Sequence, residues 1–286
     1  MSHVRVEIDS DRIATLWLDA PGKRVNTLSR QMWADLAEGI DEVEREKAVG
    51  VIVASAKANS FCVGADLFEI RDMSDEDFDR YIRTGQEILS RIEGLAIPTI
   101  AALNGDCIGG GFELALACSV RIALDEAKIG SMKVGLPEVH LGLVPGWGGT
   151  VRLMQLIGSK SFPLLLDGAL FDPAEARRMH IIHDVLPSTE LMPISKKLVI
   201  DIIAEPLLNP PHNPTNAIRF RRELQEIGRS RKLNLTRAQQ RLIQVLRIGI
   251  DQGKQAGFDA ERNAIVELRR TPECQQALQK FFDRRK

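Results

Sequence analysis

The stretch that decides the fold is IGGGFELALAC, Ile108–Cys118, which follows an apolar, strand-like run at residues 98–103 and a turn at residues 104–106. Three successive glycines lack a Cβ at the point where a strand passes into a helix, so the backbone there can approach a ligand closely. Residues 112–118 favour a helix, which would place the amides of Gly109–Gly111 at its positive end. The stretch therefore predicts a backbone that stabilises negative charge.

Glu113 lies one turn into that predicted helix, beside the same amides. A carboxylate would repel a phosphate, so this combination favours acyl chemistry through an oxyanion over phosphate binding. A tight turn next to a solvated glutamate accounts for the same short pattern. Both interpretations stay open on these residues alone.

The composition is that of an ordinary soluble globular chain: 286 residues, of which 44% are hydrophobic and 27% charged. A net charge of -1 gives no global attraction to nucleic acid or to membrane surfaces. The four cysteines and five histidines are scattered without metal-ligand spacing, so we expect no metal site and a reducing compartment. No apolar run approaches membrane-spanning length and the N-terminus lacks the apolar core of a secretory signal, so we expect a cytoplasmic protein.

Strands and helices alternate over the first two thirds of the chain, which predicts an α/β core. The elements predicted before the glycine stretch are a hairpin of His3–Ile8 and Ile13–Leu18, a helix from the cap Ser29 to Lys47, a strand Gly50–Ala54, and a helix from the capping pair Ser74 and Asp77 to Gly94.

After the glycine stretch we predict strands at Val120–Leu124 and Val134–Leu136 around a loop at Asp125–Met132. Helices follow at Thr150–Ile157 and from Asp172 onward. From about Leu191 the pattern is helical, interrupted by a linker at Pro206–Pro214. These patterns divide the chain into a core, residues 1–193, and a helical C-terminal region, residues 194–286.

Four motifs in chain order resemble the crotonase (enoyl-CoA hydratase/isomerase) superfamily: P…VNTLS at residues 21–29, FCVGADL at 61–67, the glycine stretch, and GLPEVHLGLVPGWGGTVRL at 135–153. The resemblance implies a crotonase-like ββα spiral core with a C-terminal helical domain. It is greatest to the hydratase part of the fatty-acid oxidation multifunctional enzymes, whose helical segment the tail Arg247–Phe282 also resembles. No dinucleotide glycine fingerprint follows that tail.

The resemblance also implies roles for single residues. Ala65 and Gly110 would donate the two N–H groups of an oxyanion hole, and Glu113 and Glu138 would be the catalytic pair. Syn addition of water to an enoyl thioester needs a base for the water and an acid for Cα on one face, which two carboxylates at different protonation supply without a metal or organic cofactor. Coenzyme A would be part of the substrate. Which glutamate is the acid stays open.

Hydratase is preferred over isomerase because a double-bond shift needs only one carboxylate, and isomerases of the superfamily often keep just the second. We therefore expect an enoyl-CoA hydratase of fatty-acid β-oxidation. The alternatives are a delta3-delta2-enoyl-CoA isomerase and a catalytically idle crotonase-fold module used for assembly or RNA binding.

Substrate-binding residues are expected around the GAD loop and in the second glycine-rich bend. Phe68 stands where some relatives have a lysine near the CoA, and Trp147 would either line the acyl pocket or fill the core. Basic side chains are candidates for the CoA phosphates, although such residues are usually solvated. The expected set is Ala65, Asp66, Leu67, Phe68, Gly110, Trp147 and Arg24, with Lys23 and Lys57 as further phosphate candidates.

Two further segments bear on partners. The chain between the two glutamates is a few residues longer than the family pattern, which predicts a surface bulge around Gly130–Lys133. The basic stretch Arg219–Lys232 is interrupted by Glu223 and Glu226, so a solvated or subunit-facing helix is favoured over a nucleic-acid site. The family's C-terminal helices mediate trimer formation, so we expect a homotrimer or hexamer, with a separate 3-hydroxyacyl-CoA dehydrogenase as a possible partner.

Overall fold

A computed structural model describes residues 2–125, 132–205, 216–230 and 235–283. The predicted linker at 206–214, most of the predicted loop at 125–132 and the first half of the predicted bulge at 130–133 lie outside these residues. The chain forms two compact units, each assembled from three separate segments. The sheet unit comprises Met1–Asp72, Glu87–Gly135 and Leu170–Pro210, and the helical unit comprises Met73–Gln86, Leu136–Ala169 and Pro211–Lys286.

All strands belong to the sheet unit in the described part of the chain. They are β1 Val4–Ile8, β2 Ile13–Leu18, β3 Gly50–Ser55, β4 Ser60–Cys62, β5 Thr99–Leu103, β6 Asp106–Ile108, β7 Val120–Leu124, β8 Val134–Gly135, β9 Leu170–Phe171 and β10 Asp184–Leu186. One sheet has the order β1-β2-β3-β5-β7-β10 and the other β4-β6-β8-β9. The predicted β1–β2 hairpin is confirmed as antiparallel, and the rest of the larger sheet is parallel.

The helices begin and end as follows: α1 Arg30–Arg45, α2 Leu67–Arg71, α3 Asp75–Gly94, α4 Gly110–Ala117, α5 Gly149–Ile157, α6 Ser161–Leu166, α7 Pro173–Arg178, α8 Leu191–Ala204, α9 Asn216–Ser230, α10 Arg237–Gln252, α11 Lys254–Leu268 and α12 Pro272–Asp283. Short 3₁₀ turns lie at Glu138–Leu141, Gly158–Lys160 and Ser188–Glu190. The predicted α/β core followed by helices is confirmed. In the described ranges, no helix is both long and apolar enough to cross a bilayer.

Local sequence signals account for several helix starts. The hydroxyl of Ser29 accepts a hydrogen bond from the Met32 amide at the start of α1, as predicted. The predicted helix start at Asp172 is confirmed in α7, where Asp172 and Glu175 form a capping box. Each cap satisfies amides that the first helical turn leaves without a helical partner, so it fixes where the helix begins.

The core of the sheet unit lies where α8 packs against the parallel strands. Val199 of α8 is fully buried among sheet residues such as Ile52, Ile100 and Ile122. Gly50 in β3 permits this contact, because an added Cβ would collide with the Val199 side chain. Strands buried in this way read as continuous apolar runs, which is why the sequence showed GVIVA without alternation.

Candidate active site

Two loops of the sheet unit meet where β4 and β6 end. These strands pair in parallel, with Cys62 opposite Cys107, so their carboxyl ends emerge at the same edge. An added Cβ at Gly111 would collide with the Cys62 carbonyl oxygen, and one at Gly64 would lie 3.3 Å from the Gly110 nitrogen. Glycine is therefore required in both loops for their backbones to touch.

The hydrogen bonds of these loops set the direction of two amides. The Gly64 carbonyl accepts a hydrogen bond from the Leu28 amide at 2.8 Å. Because the peptide bond is trans, the Ala65 N–H points the opposite way. The Gly109 carbonyl accepts from Phe112 and Glu113 of α4, at 2.8 and 3.0 Å.

By the same argument, the N–H of Gly110, the first residue of α4, points away from the helix. The N–H groups of Ala65 and Gly110, on two neighbouring loops, therefore both point away from the backbone that hydrogen-bonds to the preceding carbonyl. Such a pair can stabilise an oxyanion.

Glu113 is the only charged residue of α4, and every residue of that helix is buried. The Glu113 side chain is 1% exposed and lies in the first turn, near Gly110. Burying a carboxylate is costly, but the positive end of a helix stabilises its charge. A buried carboxylate beside an anion-stabilising backbone is typical of a functional site.

Asp66 organises the GAD loop. Its carboxylate accepts hydrogen bonds from the amides of Phe68 and Glu69 at 3.2 and 3.3 Å and forms an ion pair with Lys23. Burial would raise the pKa of Asp66, but the Lys23 ammonium together with the Glu69 amide and the Thr27 hydroxyl outweighs burial and lowers this pKa below its ordinary value. Asp66 therefore carries a negative charge that holds the start of α2 and Lys23 in place.

The expected substrate contacts on this loop differ in accessibility. Leu67 is partly buried at the start of α2, whereas the Phe68 side chain is 48% exposed. Lys57 forms an ion pair with Asp19 at 2.6 Å and donates to the Ala20 carbonyl at 2.8 Å. Arg24 is exposed and forms no ion pair within the described residues. Lys23 and Lys57 each form an ion pair, so among the three candidates for the CoA phosphates only Arg24 has no carboxylate partner in the described residues.

Glu138 lies in the helical unit, where it begins the 3₁₀ turn Glu138–Leu141. Its carbonyl accepts a hydrogen bond from the Leu143 amide at 3.0 Å, and Gly142 ends the turn with a φ of +70°. An added Cβ at Gly142 would lie 3.1 Å from the nitrogen of Cys274 in α12. The last helix therefore packs directly on the turn that presents Glu138.

Trp147 lies in the glycine-rich bend of the same unit. Its side chain is 3% exposed, and its ring makes an edge-on contact with Tyr81 at 5.4 Å between centroids. The carboxylate of Glu261 in α11 accepts hydrogen bonds from backbone amides of the bend. Gln86 of α3 donates a hydrogen bond to the Gly146 carbonyl of the same bend. We did not predict either residue from the sequence, although a glutamate within the apolar stripe of a helix, beside Phe258 and Ile265, was an available signal.

Comparison with known proteins places this arrangement in a family. The family model for enoyl-CoA hydratase/isomerase matches residues 9–209. A crystal structure of enoyl-CoA hydratase from Bacillus anthracis is 26% identical, with a TM-score of 0.65 over 99% of this chain and 96% of that one. Human mitochondrial delta3-delta2-enoyl-CoA isomerase is also 26% identical, with a TM-score of 0.71 over 99% and 97%.

An enoyl-CoA hydratase from Bacillus halodurans, 24% identical with a TM-score of 0.70 over 98% of this chain and 100% of that one, shares the fold. The architecture is thus that of the crotonase superfamily. The chain belongs to the enoyl-CoA hydratase/isomerase family. The chain has the same sequence identity, 26%, to a hydratase and to an isomerase. The similarity therefore identifies the family, and the choice between the two reactions depends on the site residues.

Proposed function

We propose that the protein is an enoyl-CoA hydratase, which adds water to trans-2-enoyl-CoA to give 3-hydroxyacyl-CoA in fatty-acid β-oxidation. The observation that carries this proposal is the buried Glu113 in the first turn of α4, beside the Gly110 amide. An isomerase needs one carboxylate, and this chain keeps Glu138 in the second motif as well as Glu113. Burying the Glu113 carboxylate costs free energy. Its presence therefore favours a reaction that needs a second proton transfer beside the one that Glu138 performs.

In the proposed reaction, the amides of Ala65 and Gly110 donate hydrogen bonds to the thioester oxygen. As the water oxygen bonds to Cβ, the electron pair of the double bond moves toward the thioester, and its oxygen gains enolate charge. Each amide donor is worth about 3–4 kcal/mol to that charge. One glutamate takes a proton from the water and the other delivers a proton to Cα. The substrate thus gains OH and H, and the protonation states of the two glutamates are exchanged.

Substrate recognition follows from the same residues. Arg24, with its uncommitted charge, would contact a CoA phosphate, and the exposed ring of Phe68 would cover an apolar or aromatic part of CoA. Asp66 and Lys23 keep the loop in shape, with Leu67 beside them. Coenzyme A enters as part of the substrate, and the reaction requires no separate cofactor.

Assembly belongs to the same proposal. The helical C-terminal region, residues 194–286, would mediate a homotrimer or a hexamer in the cytoplasm. The product is the substrate of a 3-hydroxyacyl-CoA dehydrogenase, and a separate dehydrogenase subunit would consume it.

The second candidate is enoyl-CoA isomerase, favoured by the TM-score of 0.71 to the human mitochondrial isomerase. Product analysis separates the two. The protein is incubated with trans-2-enoyl-CoAs of short, medium and long acyl chains, and separately with 3-enoyl-CoAs. Products are separated by chromatography, which resolves the double-bond isomers, and are identified by mass. We expect trans-2-enoyl-CoA to gain one water. Conversion of 3-enoyl-CoA without a mass change, and no hydration, would support the isomerase instead, while inertness toward both would support an idle module.

A further inference from the structure

A carboxylate from a distant helix caps α5. Glu261 of α11 is fully buried and accepts hydrogen bonds from the amides of Gly148, Thr150 and Val151, at 2.6, 2.8 and 3.3 Å. The residue at the cap position of α5 is Gly148, which has no side chain to perform this function. Glu261 therefore supplies the cap from 113 residues away, and its negative charge faces the positive end of the helix.

A second buried side chain holds the other side of the bend. Gln86 is 6% exposed, and its Nε2 donates to the carbonyl of Gly146 and to that of Phe258 in α11, both at 2.8 Å. Between the two anchored glycines lies Trp147, whose own carbonyl accepts a hydrogen bond from Arg152 at 2.6 Å. The backbone is thus held at three successive residues.

Steric contacts at Gly146 and Gly148 also restrict the path of this bend. Gly148 has a φ of +95°, and an added Cβ would collide with the Arg152 guanidinium and lie 2.6 Å from the Phe258 ring. An added Cβ at Gly146 would lie 3.0 Å from Ile265 of α11. The surface of α11 and the two polar anchors therefore determine the path of the bend and the direction in which the indole leaves it.

We infer that Glu261 and Gln86 are positioning residues: they fix the indole of Trp147 and thereby set which acyl chain lengths react. The inference rests on the proposed function and on the first of the two roles that the sequence allows for Trp147, a wall of the acyl pocket. A pocket wall that shifts by the width of a methylene changes discrimination by about tenfold or more. The C-terminal helices of the chain would then take part in substrate selection.

The test replaces Glu261 by glutamine, which keeps the size of the side chain but exchanges one accepting oxygen for a donating NH2 group. We expect faster hydrogen exchange of the amides at 148–151. We also expect the ratio of kcat/KM for long over short enoyl-CoAs to change by about tenfold or more. Gln86→Leu, which removes both donated hydrogen bonds, should change the ratio in the same direction. The matched control is Glu267→Gln on the same helix, whose partly exposed carboxylate pairs with Arg237 and Arg241.

The outcomes separate the two proposals. If wild type turns over no enoyl-CoA, the proposed function fails, while hydrogen exchange still shows whether Glu261 fixes the bend. Unchanged exchange in Glu261→Gln overturns the positioning role. Faster exchange with an equal loss of kcat/KM at every chain length overturns the role in selection, because a merely structural residue has that effect. If Glu261→Gln does not fold, Gln86→Leu decides by the same two readouts.

Discussion

Gly64 offers a sharp test of the two-amide arrangement. It has a φ of +89°, and an added Cβ would lie 3.2 Å from the Ile108 carbonyl oxygen and 3.3 Å from the Gly110 nitrogen. Both contacts are tighter than ordinary van der Waals contact, so Gly64→Ala must push the two loops apart by a few tenths of an ångström. The Ala65 amide belongs to the next peptide unit and moves with the loop.

Two separate costs follow from the substitution. Alanine at a strongly positive φ costs about 1–3 kcal/mol of stability wherever it occurs. Displacement of an oxyanion-hole donor adds a loss of kcat, which we expect to be about 10²-fold, since complete removal of a donor costs about 10²–10³.

Gly253→Ala is the matched control for the first cost. Gly253 also has a φ of +89°, but nothing lies within 4 Å of an added Cβ. Urea unfolding should show a loss of stability in both variants, larger in Gly64→Ala because its Cβ also displaces the two loops. Steady-state kinetics with an enoyl-CoA should show the loss of kcat in Gly64→Ala alone. Equal kcat values in the two folded variants would refute the oxyanion assignment of Ala65 and Gly110.

Three further predictions concern stability. Arg121→Met should lower the free energy of unfolding by at least about 2 kcal/mol, measured by urea denaturation, because the buried guanidinium donates to the carbonyls of Cys118 and Ile181 and each orphaned acceptor costs about 1–3 kcal/mol. The Ala115 carbonyl, which also accepts from the guanidinium, keeps a hydrogen bond from the Cys118 amide. Wild-type stability in Arg121→Met would show that the guanidinium is not needed to satisfy the carbonyls at the end of α4. Gly111→Ala should yield little folded protein, because its Cβ would collide with the Cys62 carbonyl, whereas Gly94→Ala, with open space around the new Cβ, should express normally. Desolvation of the ring and the charge of Arg121 lower the pKa of His183 from 6.5 to about 4. The unfolded chain therefore takes up the proton first, and stability should fall as the pH drops from about 6.5 to about 4. His183→Asn should flatten that slope in urea midpoints measured across this range, and an unchanged slope would show that another group is responsible.

The sequence predicted those parts of the fold that depend on local chemistry. Capping at Ser29 and Asp172 and the hairpin of β1 and β2 each follow from residues that are close in the chain, so they could be read directly. The start of α4 was predicted two residues late, at Phe112 instead of Gly110. Glycine is a weak helix former, and packing against Cys62 overrides that preference.

The remaining features depend on contacts between distant segments. The strands β4, β6 and β9 have only two or three residues each, which is too short to show a period of two. Glu261 reaches the bend from 113 residues away, so no local pattern connects them. Gly64 and Gly111, in contrast, could be recognised from the sequence. Only glycine allows two backbones to approach so closely, so the glycines in these motifs indicated a close approach of the backbone.

One series of assays tests whether two carboxylates perform the hydration. Wild type, Glu113→Gln and the control Glu190→Gln, an exposed glutamate of the sheet unit, are each given trans-2-enoyl-CoA and 3-enoyl-CoA. We expect Glu113→Gln to lose hydration by about 10²–10⁴-fold, while any shift of the 3-enoyl double bond survives because Glu138 suffices for it. Hydration that persists undiminished in folded Glu113→Gln would contradict the role of Glu113 as one of the two catalytic carboxylates.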